Sequence, residues 1–244
     1  MKAVITAGGR IGGAYEAEAA TAIKALAVTH GTSMLQRCVD ALRGCGVARI
    51  AVIGEAPVRA AVSGKVEAII DAADSGSQNV LRALRAWPED GEPLLYLTSD
   101  MPYIDATSLQ AFIDRAPPDS FAMPLCEHET FVARFPGAPN FGIRLGGERV
   151  VNGGAFHVPP GAAERLALAA KPFFDARKAP WRMAAIAGPS LLVRFALGRL
   201  NVEQIEDRAR RVLNMPVRAL RGMPPELAYD ADTVDEFRYA RDRW

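Results

Sequence analysis

The sequence predicts an α/β protein built on a mixed, mostly parallel sheet flanked by helices. Three observations carry this expectation. Short apolar runs alternate with helix-spaced segments through the first half of the chain, the pattern of strand–helix–strand units. The first run, at 3–5, leads into a glycine-rich stretch, TAGGRIGG. A later run, LLYLT at 94–98, ends in Ser99-Asp100-Met101-Pro102. Ligands of open α/β sheets bind at the carboxyl ends of the strands. The glycine stretch and the Asp100 turn are therefore expected to open on the same edge.

Taken in order, 3–5 reads as the first strand. Segment 33–44 (SMLQRCVDALRG) places Met34, Leu35, Cys38, Val39 and Leu42 at helical spacing, with Ser33 as N-cap and Gly44 as stop. Segments 49–53, 68–70 and 94–98 read as further buried strands, and 77–87 as a helix ended by Pro88. In the second half, 121–124, 132–135 and 143–145 suggest shorter strands, followed by NGGAFHV at 152–158. Helical patterning then dominates 161–213, in segments 162–170, 180–187, 191–197 and 202–213. A strand at 217–220 and a helix at 233–241 close the chain. With no internal repeat or low-complexity linker, the expectation is one domain over 1–244, with 161–213 a helical elaboration within it.

The 244 residues are half apolar, enough for a sizeable core. A formal net charge of +1 supplies no overall electrostatic attraction to nucleic acid or to an acidic membrane. Local basic clusters at 171–182 and 208–221 read as solvated helix faces. Cys38, Cys45 and Cys126 have no metal-ligand spacing and no Cys-x-x-Cys pair, which suits reduced thiols in the cytoplasm. The opening segment lacks the apolar region of a signal peptide. No run approaches the ~20 apolar residues of a membrane span.

Gly8-Gly9 and Gly12-Gly13 permit positive φ and close backbone approach, and consecutive N–H groups in such a loop can converge on an anion. Two familiar phosphate loops do not fit. Arg10 stands where GxGxxG has its second glycine, and no Gly-Lys-Ser/Thr follows. Asp100, at a strand end, is either a metal ligand or a cap on the next turn. Asp230 and Asp232, two apart, share a face if extended, or belong to an ordinary N-cap region. Lys24 lies in AIKAL, whose apolar context would hold its stem and direct its ammonium; the plain alternative is a surface lysine. His30, His128 and His157 show no ligand spacing, Cys126-Glu127-His128-Glu129 reads as a solvated turn, and no serine or cysteine nucleophile arrangement is present.

Four segments in order, AVITAGG, IKALAVTHGTSMLQRCVDAL, LLYLTSDMPYI and YDADTVDEF, resemble the nucleotidyltransferase superfamily with its Rossmann-like GT-A fold, and most closely its molybdenum-cofactor guanylyltransferase-like branch. The resemblance implies a nucleotide loop in which Ala7, Gly8 and Gly9 lie against base and ribose while Arg10 and Lys24 meet the triphosphate. It implies Lys24 and Asp100 as catalytic residues, and Asp100 with Asp232 as ligands of Mg²⁺, Asp230 being the alternative. DAADSGSQNVLRAL resembles the family's base-recognition segment, which would place Gly76 and Asn79, with Ser75 and Ser77, at the base; a helix capped by Ser75 or Ser77 is the other reading. NGGAFHV resembles the turn lining the acceptor side, where Asn152 would orient an acceptor phosphate and Gly153 and Gly154 allow close approach, or it is a plain turn into a strand. Arg134 and Arg144, on neighbouring expected strands, would meet an anionic acceptor or are simply exposed.

One departure stands out. The family usually carries Gly-x-x-x-Arg-Met shortly before its lysine, and here the chain reads RIGGAYEAEAATAIK. Either Arg10 replaces the missing arginine from another position, or this loop binds no triphosphate. The function implied is Mg²⁺-dependent transfer of an NMP from an NTP to a phosphorylated small molecule or cofactor precursor, with release of pyrophosphate. A non-catalytic nucleotide-binding scaffold on a degenerate transferase fold is the rival. A nucleotide-sugar glycosyltransferase ranks lower, because Thr98 occupies the first position of the expected Asp-x-Asp. The expected partners are an NTP and a small-molecule acceptor, without nucleic acid or membrane. Leu191, Leu192, Phe195 and Leu197 form a candidate homodimer surface, or ordinary core.

Overall fold

The first strand is apolar on both sides because it lies at the centre of a sheet covered on both faces. The computed structural model describes residues 1–139, 141–176 and 188–243. β1 (Lys2–Thr6) leads through α1 (Gly13–Ala19) and a hairpin of β2 (Val28–Thr29) and β3 (Thr32–Ser33) into α2 (Met34–Gly44). There follow β4 (Arg49–Gly54), α3 (Ala56–Val62), β5 (Ala68–Asp71), α4 (Gly76–Leu84), β6 (Leu94–Thr98) and α5 (Ala106–Arg115). The second half contains β7 (Phe121–Glu127), α6 (His128–Arg134), β8 (Ile143–Leu145), β9 (Glu148–Asn152) and β10 (Ala155–Val158). It ends with α7 (Ala163–Ala176), α8 (Pro189–Ala196), α9 (Val202–Leu213), β11 (Val217–Leu220) and α10 (Val234–Asp242).

Among the described residues, nine strands form one mixed sheet in the order β5-β4-β1-β6-β10-β7-β9-β8, with β11 parallel to β7. β5, β4, β1 and β6 are mutually parallel, so their carboxyl ends share one edge, as the sequence predicts. β10 runs antiparallel to both β6 and β7 and splices the second half onto the first. Alternate residues of β1 serve two cores. Ala3 and Ile5 pack with Leu35 and Val39 of α2 and with Leu109 and Phe112 of α5. Val4 packs with Val80 and Ala83 of α4 and with Leu166 and Ala167 of α7. Burial on both faces is why these strands read as continuous apolar runs.

Local signals match well where they are strong. Ser33 caps α2, its Oγ accepting from Gln36 N–H at 3.2 Å. The expected helix at 202–213 and the strand at 217–220 coincide with α9 and β11. Segment 180–187 lies outside the described residues.

Several expectations are overturned. Segment 132–135 is not a strand; it falls in α6 and the residue that follows it. FVARF suits either period, and packing decides: Phe131 and Phe135 are buried against Tyr103 and Tyr229 while Val132 faces out. Arg134 is therefore on a helix, ion-paired to Glu226 at 2.7 Å, and not on a strand beside Arg144. Nor is Cys126–Glu129 a solvated turn, since it joins the end of β7 to the first turn of α6 with Cys126 fully buried. On α8, Val193, Phe195 and Leu197 are exposed, so the ordinary-core reading of Phe195 and Leu197 does not hold among the described residues.

His157 on β10 is buried, and its Nδ1–H donates to the Ser120 carbonyl at 2.9 Å. Burial pulls its pKa below the ordinary histidine value, against the weaker opposing effect of that hydrogen bond. Below about pH 6.5 the unfolded chain takes up a proton that the folded chain refuses, so stability falls as pH drops through that window. In paired denaturant titrations between about pH 7.5 and 5.5, the wild type is expected to lose stability relative to His157→Gln as pH drops.

Candidate active site

The loop after β1 is held open against the rest of the edge by main-chain bonds. Ala7 N–H donates to Ile53 C=O at 2.8 Å, and Gly9 C=O accepts from Lys24 N–H at 2.9 Å. Arg10 and Ile23 form an isolated antiparallel bridge. Gly13, at φ +61°, turns the chain into α1 in a conformation that glycine adopts without steric cost. This clamp sets Lys24, the first residue of a single 3₁₀ turn (Lys24–Leu26), beside the glycine loop.

Lys24 is the meeting point of the site. Its Nζ donates to Asp100 Oδ2 at 2.5 Å and to Asp232 Oδ1. Lys24 and Asp100 are largely enclosed, with side chains 14% and 16% exposed, while Asp232 is 62% exposed. Burial opposes the lysine charge, yet the two carboxylates overcome it and hold the ammonium above the usual lysine range. Asp230 stands close by, half-buried. Burial, reinforced by the negative charge of Asp100 and Asp232, pushes its carboxyl up to about 7.

Neither aspartate is a helix cap. Asp105 caps α5 and Thr233 caps α10, each in a capping box, which leaves the Asp100 and Asp232 carboxylates to Lys24. Asp100 Oδ1 is buried and has no hydrogen-bond partner. The donor set, two carboxylates converging on one cation with a third beside them, fits a hard oxygen-seeking ion such as Mg²⁺, which keeps several waters and takes its other ligands from phosphate. Among the described residues no group of three or more acidic, histidine or cysteine side chains is placed to hold a metal ion by itself.

The remaining expected site residues fall on the same edge with different duties. Gly8 faces α4: a Cβ there would lie 2.9 Å from Asn79 Nδ2. Asn79 is buried, and its amide pairs with Ala73, Oδ1 accepting from N–H at 2.6 Å and Nδ2 donating to C=O. Ser75 caps α4 by accepting from Gln78 N–H, and Gly76 is exposed at the first turn. A groove of about 410 Å³ lined by Ala72, Ala73, Asp74, Gln78, Leu81 and Arg82 opens beside this loop. Ala7 is fully buried. Arg10 is exposed and ion-paired to Glu55 at 2.6 Å. Asn152 is exposed at the end of β9, Gly153 N–H donates to Pro124 C=O, and Gly154 bridges Leu227 and Thr98 through its N–H and C=O. A Cβ on Gly154 would lie 2.3 Å from Thr98 Oγ1 and 2.9 Å from Met101 Sδ, so this turn abuts both flanks of Asp100.

Sequence reasoning passed over Tyr15, which is buried and donates its hydroxyl to Ala231 C=O at 2.8 Å. Its signal was slight: a single aromatic in an acidic, alanine-rich stretch.

A glycine loop, a lysine and two aspartates thus gather at the carboxyl edge of this sheet. Residues 3–179 match the model of the MobA-like NTP transferase domain, and the chain belongs to that family; it is a nucleotidyltransferase. No curated protein matches it in sequence. Among solved structures it is similar to a hypothetical transferase from Thermus thermophilus, with TM-score 0.84 and 24% identity over 97% of this chain and 100% of that one. It also resembles CMP:2-keto-3-deoxy-manno-octonic acid synthetase in complex with CTP, with TM-score 0.57 and 17% identity over 99% and 98% of the two chains. CTP:phosphocholine cytidylyltransferase from Streptococcus pneumoniae gives TM-score 0.57 and 13% identity over 99% and 97%. At these identities the structural matches establish the fold.

Removing the lysine strands the enclosed Asp100 carboxylate. Lys24→Met is expected to lower unfolding free energy by about 2–4 kcal/mol in urea titrations, and Lys24→Met with Asp100→Asn by clearly less. Gly154→Ala is expected to cost about 1–3 kcal/mol by forcing Thr98 and Met101 aside, read by the same titration.

Proposed function

We propose that this protein transfers an NMP from an NTP to a phosphorylated small molecule or cofactor precursor, with Mg²⁺, releasing pyrophosphate. The observation that carries the reading is the convergence of Asp100 and Asp232 on one cationic point beside Gly9, with Asp100 Oδ1 left buried and unpartnered. Asp100 and Asp232 would hold the ion. When bound, it supplies Lewis-acid neutralisation of phosphate charge.

The chain's own residues do the positioning. Main-chain groups of Gly8 and Gly9 line the nucleotide loop. The base lies toward Gly76 and the groove beside α4, whose lip Asn79 braces through Ala73. Lys24 turns its ammonium to the phosphates, and Arg10, exposed and paired with Glu55, reaches them from the other side. The acceptor approaches past Asn152, Gly153 and Gly154. An acceptor phosphate oxygen attacks the α-phosphorus; the bond to the β-phosphate oxygen breaks, and pyrophosphate leaves with that electron pair. An acceptor phosphate already ionised at neutral pH requires no general base. Positioning and charge neutralisation supply the rate.

The reaction is placed in the cytoplasm, where NTPs and Mg²⁺ are present and the free thiols of Cys38, Cys45 and Cys126 stay reduced. Among the described residues no helix is long and apolar enough to cross a membrane. The degenerate-scaffold alternative has less support, because Lys24, Asp100 and Asp232 meet despite the missing Arg-Met.

Pyrophosphate release is measured with each of the four NTPs, Mg²⁺ and a panel of phosphorylated acceptors. One NTP–acceptor pair is expected to turn over, and Asp100→Asn to lower kcat about 10²–10³-fold. Silence across the panel, with no NTP raising the melting temperature, would overturn the reading.

A further inference from the structure

The stretch that departs from the family, RIGGAYEAEAATAIK, is built into the carboxylate site from behind. Its helix α1 docks on α10 at the other end of the chain. Tyr15 stacks on Phe237 with ring centroids 5.0 Å apart, and Glu18 pairs with Arg238 and Arg241. From this platform Tyr15 Oη donates to Ala231 C=O at 2.8 Å. Ala231 lies between Asp230 and Asp232, and its N–H donates to the main-chain carbonyl of Asp100 at 3.0 Å. The two sides of one residue are thus gripped by different elements: the end of β6 holds its N–H, and the glycine-loop helix holds its C=O.

We propose that Tyr15 is a positioning residue that fixes the Asp230–Asp232 segment against Asp100 and makes that segment move with the nucleotide loop. This rests on the reading of Asp100 and Asp232 as the ion-holding pair. Three features single out Tyr15. Tyr15 is 5% exposed, and its bond to Ala231 is buried. Burial raises its phenol above the ordinary range, and although Lys24 works against this, the hydroxyl stays protonated and remains a donor. The exposed Glu18 pairs hold the helix only weakly, and they reach α10, not the segment before it. The hydroxyl of Tyr15 bonds α1 to the segment itself. Nucleotide contact at the glycine loop would therefore be felt at Asp232 through this bond.

Tyr15→Phe tests the idea, because it keeps the ring on Phe237 and deletes only the donor. Two readouts are used. Hydrogen exchange of the peptide spanning 228–233 is expected to speed up several-fold, while the β6 peptide spanning 94–98 stays unchanged. The dissociation constant for Mn²⁺ alone, read by titration of its paramagnetic resonance signal, is expected to weaken about five- to tenfold. In an Asp232→Asn background, adding Tyr15→Phe is expected to produce no further loss of Mn²⁺. A stabilising packing role alone would lower the melting temperature without moving either readout. Unchanged exchange at 228–233 would overturn the proposal, and so would an equal, additive Mn²⁺ loss in the Asp232→Asn background. If the wild type binds no Mn²⁺ and releases no pyrophosphate, the transferase reading falls instead. The exchange comparison still decides whether Tyr15 anchors the segment.

Discussion

One lysine near the start of the chain holds two aspartates from its middle and its last segment, and the geometry of the site depends on that contact. Lys24 is 76 residues from Asp100 and 208 from Asp232. Asp230 lies near enough for burial and the charges of Asp100 and Asp232 to raise its carboxyl, with Lys24 acting the other way. Like charges this close repel strongly where water is scarce, so the cation is what lets the edge close around them. Under the proposed function, the same negative surplus would serve a divalent ion and the polyphosphate it carries. Stability and chemistry thus draw on a single electrostatic arrangement.

The sheet order makes the arrangement possible. β1 lies between β4 and β6, so the loop after β1 and the turn after β6 are immediate neighbours at their carboxyl ends. β10 then pairs antiparallel with β6 and brings Gly154 against Thr98 and Met101. Small residues are needed there because main chain must pack directly beside the Asp100 turn. Asp232 arrives last. Its segment is tied to Asp100 through the Ala231 N–H and to α1 through Tyr15. The two ends of the chain close the site together.

The missing Arg-Met motif takes on a different meaning in this setting. The residues in its place form a helix that packs on α10, while Arg10 stays exposed at the rim in an ion pair with Glu55. An exposed pair of this kind contributes little to stability, so the guanidinium is available to a stronger anion. The loop is built differently from the family pattern, and the lysine still reaches its carboxylates.

The parallel half of the fold was legible in the sequence because its signals are local. Apolar runs, Ser33 as a cap and the spacing through 33–44 act within a few residues, and the carboxyl-edge rule then places Gly8 and Asp100 on one side, while Lys24 is nominated by the resemblance. The aspartates near the C-terminus could be nominated only by resemblance, since nothing short-range separates a helix-cap region from a ligand pair. FVARF shows the limit plainly: its alternation suits a strand and its Phe131–Phe135 spacing suits a helix, and only the aromatic neighbours Tyr103 and Tyr229 decide. Asn79 likewise carries the right chemistry for a base, but the turn at Ala73 takes up its amide. The sequence by itself determined the α/β class, the glycine edge and the charged residues available there. Tertiary structure alone decided which of those charges meet, because contacts spanning tens to hundreds of residues are set by strand order and by the docking of α1 on α10, and no local pattern encodes them.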